Sequence, residues 1–173
     1  MTSPDHGLTP ASLGVGVSQG QIDQAVGLVR AFCGWHVWPV VTETLIVDGV
    51  GGVVLTLPTL QVTDVALVVE SGVVLVDLNR HLSVVDDADG YEWSASGDVK
   101  RVGGCWTTRW RGIEVTLTHG FETCPLLSVV AGIASSGTAP EVVGPFSFGG
   151  SDAASSVMPY RDALSLYRIP VLP

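Results

Sequence analysis

The chain has one lysine, Lys100, and seven arginines against 17 acidic residues, a net charge of −9. Binding nucleic acid through phosphate neutralisation needs a Lys/Arg face, so this balance argues against a nucleic-acid binder and leaves room for an acidic ring that repels DNA. Cysteine is scarce as well: Cys33, Cys105 and Cys124 are an odd number, too few for a disulfide framework. Met1 is followed by Thr-Ser-Pro-Asp-His-Gly, without a basic n-region or an apolar h-region, so the expectation is reduced thiols in a cytoplasm. Long apolar runs are missing too. Residues 65–69 and 73–76 are interrupted by Glu70, Ser71 and Gly72, far short of the ~20 residues a bilayer requires.

What is present is valine. The 173 residues include 29 Val, with 46% hydrophobic and 14% charged residues, which excludes disorder for the bulk and favours pleated, half-buried surface. A domain of this length buries roughly 70% of its unfolded surface. The fold class expected is α+β.

Residues 1–17 are Pro, Gly, Ser and Thr without periodicity, and read as a flexible N-terminal arm. Ser18 followed by Gln21 is a capping-box pattern, and Ile22, Ala25, Val26, Val29, Phe32 and Cys33 recur at helical spacing up to Gly34, so a helix is predicted over 19–33. Pro39 then turns the chain into a β-rich insertion over about 40–119, a meander or small barrel. Its first two strands, 41–47 and 53–57, are read as a hairpin around Asp48-Gly-Val-Gly-Gly52. Further strands are predicted at 61–70, 73–78, 82–85, 91–94, 99–102, 105–110 and 113–119, with Arg111-Gly112 as a tight turn. Pro125 opens a second helix over about 125–136, packed on the first. Residues 18–137 form one α+β domain, and 138–173 an extended arm with a short helix over 160–168.

The chemistry-bearing residues do not assemble into a recognisable catalytic or metal motif. Cys33 and His36 have CxxH spacing but no second close pair, and Cys33 lies on the apolar stripe of its helix, so core packing is the better reading. Cys105 or Cys124 with His119 satisfies a residue count for a thiol nucleophile and nothing more. Asp86-Asp-Ala-Asp89-Gly90 fails as a calcium loop at two ligand positions. Neither a catalytic residue nor a metal ligand nor a cofactor is expected. Trp93, Trp106 and Trp110 alternate on strands, either as core or as a sugar-stacking platform.

Several segments together carry a resemblance: Cys33-Gly-Trp-His36 closing the first helix, Thr42-Glu-Thr44, Asp48-Gly-Val-Gly-Gly52, Leu55-Thr-Leu-Pro58, Tyr91-Glu-Trp93, Val115-Thr-Leu-Thr-His-Gly120, Pro125 opening a helix, and Leu164-Ser-Leu-Tyr-Arg-Ile169. In this order, over residues 20–169, they resemble the head-to-tail adaptor (head-tail connector) proteins of long-tailed bacteriophages. The resemblance implies a structural virion protein of the neck, assembled in the host cytoplasm. It would form a twelvefold ring of its own copies between the portal protein and a tail-side connector or head-closure protein, with double-stranded DNA passing through unbound. The Gly/Ser-rich stretch 138–156 departs from the longer charged helix end expected there.

Two sets of site residues follow. Phe146, Phe148, Tyr160, Leu164, Tyr167 and Ile169 are apolar residues on a segment too glycine-rich to fold alone, and are expected to dock on the portal or an adjacent subunit. Residues 41–90 carry −7, eight acids against Arg80, while 91–136 are balanced. Glu43, Asp64, Glu70 and Asp77, the acids within strand-like runs, are therefore candidates for a DNA-repelling channel wall; acids simply placed in turns are the equal alternative. A β-sandwich carbohydrate- or surface-binding module of a tail, with the tryptophans as its platform, is the rival function.

Overall fold

The computed structural model describes residues 5–14, 16–80, 89–136, 142–143, 146–147 and 157–169. The chain is α+β and gathers into two compact units, one of residues 1–39 and 122–173, the other of residues 40–121. Among the described residues no helix is long and apolar enough to cross a membrane.

The first unit holds the helices. Pro10–Leu13 (α1) is a single turn capped by Thr9 and Ser12, a capping box inside the N-terminal segment that composition alone does not reveal. Gln19–Cys33 (α2) has the bounds its pattern predicts. The Ser18 amide donates to Gln21 Oε1 at 2.8 Å, and Gly34, at φ 82°, closes the helix by donating to the Arg30 carbonyl at 2.9 Å. The stripe of Ile22, Ala25, Val26, Val29 and Cys33 is buried, and α2 packs against Leu127–Ser135 (α3), whose Val129, Val130, Ile133 and Ala134 face inward. α3 starts two residues after Pro125, which lacks the N–H a helix interior would use. The C-terminal part of this unit contains the short pair Val142–Val143 and Phe146–Ser147, a 3₁₀ turn at Met158–Tyr160 and Arg161–Ser165 (α4).

Arg30 fixes the turn that follows α2. Its guanidinium donates to the carbonyls of His36, at 3.0 Å, and Trp38, at 2.6 Å, and lies 5.4 Å from the Trp38 ring centre. Buried Val37 is thereby held at φ 62°, a left-handed conformation that a β-branched residue adopts only when its surroundings enforce it.

Among the described residues the second unit holds eight strands: Val41–Val47 (β1), Val54–Thr56 (β2), Val62–Glu70 (β3), Val73–Val74 (β4), Val76–Asp77 (β5), Gly90–Trp93 (β6), Asp98–Val102 (β7) and Ile113–His119 (β8). They form two four-stranded sheets of order β1-β8-β3-β4 and β2-β7-β6-β5, antiparallel except for β5 beside β6. Both sheets contribute to one core, Leu45, Val65, Val115 and Leu117 from the first and Leu55, Tyr91 and Val99 from the second. Leu75, buried between β4 and β5, is where the chain passes from one sheet to the other. Of the two expected arrangements, a closed barrel does not occur among the described residues, and the order is not a simple meander. The strand expected at 82–85 lies outside them.

β8 is an inner strand of its sheet, and its alternation is complete: Ile113, Val115, Leu117 and His119 are buried, while Thr116 and Thr118 pair outward with Thr44 and Thr42 at 2.9 and 2.8 Å. β3 departs from alternation. Two bulges, between Val62 and Asp64 and between Val65 and Leu67, let residues three apart, Val62, Val65 and Val68, all face the core.

Two sequence expectations are corrected here. Strands β1 and β2 do not pair as a hairpin, because β1 bonds to β8 and β2 to β7. The glycines between them serve a different purpose: Gly49 and Gly51 donate to the carbonyls of Arg109 and Thr107, and a Cβ on Gly49 would lie 1.9 Å from the Thr107 oxygen. They permit close backbone approach. The segment 105–110 is consequently not a strand; it is the irregular stretch laid against those glycines, ending in the expected turn at Arg111-Gly112, where the Gly112 amide donates to Arg109.

Candidate functional site

Each of the four acidic candidates has a basic partner within its own unit. Glu70, at the end of β3, accepts from Arg101 Nε at 2.9 Å with one oxygen and from the Thr107 amide at 2.6 Å with the other; its side chain is 12% exposed and that of Arg101 is 9% exposed. Asp77 lies 3.1 Å from Arg80 Nε and caps the Asn79 amide, and Arg80 also reaches Asp64. Glu43 accepts from His119 Nε2 at 2.9 Å. The charge at these positions is therefore largely spent on holding strands and loops together, even though the segment is acidic as a count.

Arg101 is the hub of this arrangement. From β7 it also binds Asp89 and the carbonyls of Gly90 and Val102, with its guanidinium 5.9 Å from the Trp106 ring centre. Burial pushes the Tyr91 hydroxyl up to about 12, with Asp77 adding to the effect. His119 is pushed below its ordinary value by burial, against the opposing pull of Glu43.

The apolar C-terminal candidates divide. Phe148 lies outside the described residues, as does the side chain of Phe146. Leu164 is fully buried where α4 meets α2, and Tyr160 is half-buried over Gly132, where an added Cβ would come within 2.0 Å of the phenol oxygen. The Tyr167 carbonyl accepts from Trp35 Nε1 at 2.8 Å, and the Ile169 amide donates to the Cys33 carbonyl at 2.9 Å. This end of the chain is thus bound to its own helices. Among the described residues of this end, Met158 and Leu166 are the large apolar side chains that stand exposed, the latter 78% exposed.

Cys33 is buried in the helical core and Cys124 is half-buried; burial pushes both thiols up to about 11, away from thiolate chemistry near neutral pH. The three tryptophans do not share a surface. Trp106 is buried and donates to the Val99 carbonyl, Trp93 is half-buried, and Trp110 is 87% exposed. A buried Trp106 offers no face to a sugar.

No family model matches the chain, and no curated protein matches it either. Among solved structures it is similar to a chain described as "Neck of native GTA particle computed with C12 symmetry", with a TM-score of 0.56 and 17% identity, covering 99% of this chain and 94% of that one. The two share a fold. The likeness covers residues of both units.

The feature missed at the level of sequence is the loop tip Arg109-Trp110-Arg111. Strand-like alternation of Trp106, Thr108 and Trp110 suggested an inward face. The available signal was the two arginines flanking one tryptophan in a chain so poor in bases.

Proposed function

We propose that this chain is a structural neck protein of a phage-like particle, a head-to-tail adaptor that forms a ring between the portal and the tail-side connector and surrounds the DNA path without catalysing a reaction. The observation that carries this reading is the fold shared over 99% of the chain with a neck chain of a phage-like gene transfer agent particle of twelvefold symmetry. The motif order described above supports the same reading independently. The acidic balance suits it, since a ring around DNA functions by not holding phosphate.

The test is reconstitution. The full 173-residue chain mixed with the portal protein of the same particle should give a complex of twelve copies per portal ring, seen by native mass measurement and by electron microscopy as an added ring at one end. Absence of any complex at high concentration would refute the adaptor reading. The same preparation should bind no double-stranded DNA at moderate salt.

A further inference from the structure

The stretch between β7 and β8 ends in a projecting tip that the fold does not use for its own core. Trp110 is 87% exposed, the most exposed large hydrophobic side chain among the described residues. The backbone beneath it is nevertheless tightly built. The Arg109 carbonyl accepts from Gly49 at 2.9 Å and from Gly112 at 3.2 Å, the Arg111 amide donates to Asp48 at 2.6 Å, and the Gly112 carbonyl accepts from Ser71 at 2.8 Å. Arg111 is held at φ 51°, a conformation uncommon outside glycine. Beside the indole lies an open cleft of about 390 Å³, lined by Val69, Ser71, Gly72, Arg109, Trp110 and Glu114. The neighbouring edge strand β4 adds exposed Val73 and Val74.

A rigid backbone presenting a bare indole between two guanidiniums has the composition of an interface anchor. Tryptophan and arginine dominate the residues that carry binding energy, and a pre-ordered loop loses little entropy on docking. Charge decides the occupant. Residues 40–121 contain 11 acids and five bases, and the tip holds two of those five; neither Arg109 nor Arg111 forms an ion pair among the described residues. The remainder of the unit has 11 acids against three bases; Arg80 is shared by Asp64 and Asp77, Arg101 by Asp89 and Glu70, and Lys100 pairs with Glu92, so the unit stays acidic after pairing. The tip is thus complementary to the surface of the very unit that bears it, and ill matched to DNA, from which the rest of that unit is repelled.

We propose that Trp110, flanked by Arg109 and Arg111, is a docking knob that seats on the acidic surface of the 40–121 unit in a second copy of this chain. The choice of a second copy rests on the ring reading above. A knob on one surface meeting a different surface on the next copy is a head-to-tail contact, the type that closes into a ring when its rotation permits.

The experiment is sedimentation of the full-length protein over a wide concentration range at low and high salt, with Trp110→Ala and the double variant Arg109→Glu, Arg111→Glu. Wild type should self-associate, more strongly at low salt, and each variant should weaken association by about tenfold or more while melting like wild type. A photo-crosslinking residue at position 110 should join two copies through peptides of residues 40–121. Association unchanged in both variants overturns the knob and leaves the ring intact. Wild type that stays monomeric at every concentration also overturns the knob, and portal reconstitution then judges the ring separately. Capture of double-stranded DNA by wild type, lost in the arginine variant, assigns the tip to DNA and overturns the proposal.

Discussion

Replacing Glu70 separates an acid that holds the fold from an acid that lines a channel. Its two oxygens are fully engaged, one by Arg101 Nε at 2.9 Å and the other by the Thr107 amide at 2.6 Å. Removing one partner of a buried ion pair costs about 3–5 kcal/mol, because the other charge is left in a poorly solvated place. Here Arg101 retains Asp89 and the carbonyls of Gly90 and Val102, which lowers that figure. An orphaned Thr107 amide adds about 1–3 kcal/mol. Glu70→Ala should therefore lose about 3 kcal/mol, whereas Glu70→Gln, which keeps the shape and an acceptor for Thr107, should lose about 1 kcal/mol. With a urea slope of about 2 kcal/mol/M, the alanine variant should unfold at a midpoint about 1.5 M lower with the slope unchanged. Loss of less than about 1 kcal/mol in Glu70→Ala, or equal losses in both variants, would refute the reasoning and return Glu70 to the list of solvent-facing acids.

Gly49→Ala should destabilise the 40–121 unit by about 2 kcal/mol or more, since its Cβ would meet the Thr107 carbonyl at 1.9 Å, whereas Gly72→Ala, with open space around it, should cost only the strain of its positive φ, about 1 kcal/mol; thermal melts of the two compare them directly. His119, buried with its pKa below 6.5, binds fewer protons folded than unfolded, so stability should be full above pH 6.5 and fall as pH drops through that value towards the lowered one; His119→Gln should flatten this slope in denaturant titrations across the range. Leu164→Ala should cost about 2–5 kcal/mol, read as a lower melting temperature, while Leu166→Ala should leave it within about 0.5 kcal/mol of wild type. Cys33→Ala should lower stability through a cavity, read as a lower melting temperature.

The sequence by itself determined the elements whose signals are local. Helix α2 has its predicted bounds because a capping box, a 3.6-residue apolar period and a glycine stop all act within one or two turns of the residues they govern. β8 has its predicted bounds because the period-two alternation of Ile113, Val115 and Leu117 with polar neighbours is a signal carried within the strand itself. The α+β class follows from these same signals. Tertiary structure decided everything that depends on a distant partner. Val41 finds His119 across the whole insertion, two bulges turn β3 from a period of two to a period of three, and Gly49 and Gly51 are small because the backbone of 107–109 lies against them. The acids show the limit most clearly. Glu70 looks like any acid in a strand until Arg101 and Thr107, more than thirty residues further along the chain, are brought to its two oxygens. Trp110 shows the converse, an apolar residue in an apparently buried register that the turn at Arg111 leaves in solvent. Propensity, capping and periodicity are properties of neighbouring residues, whereas pairing, charge satisfaction and exposure belong to residues that only folding brings together.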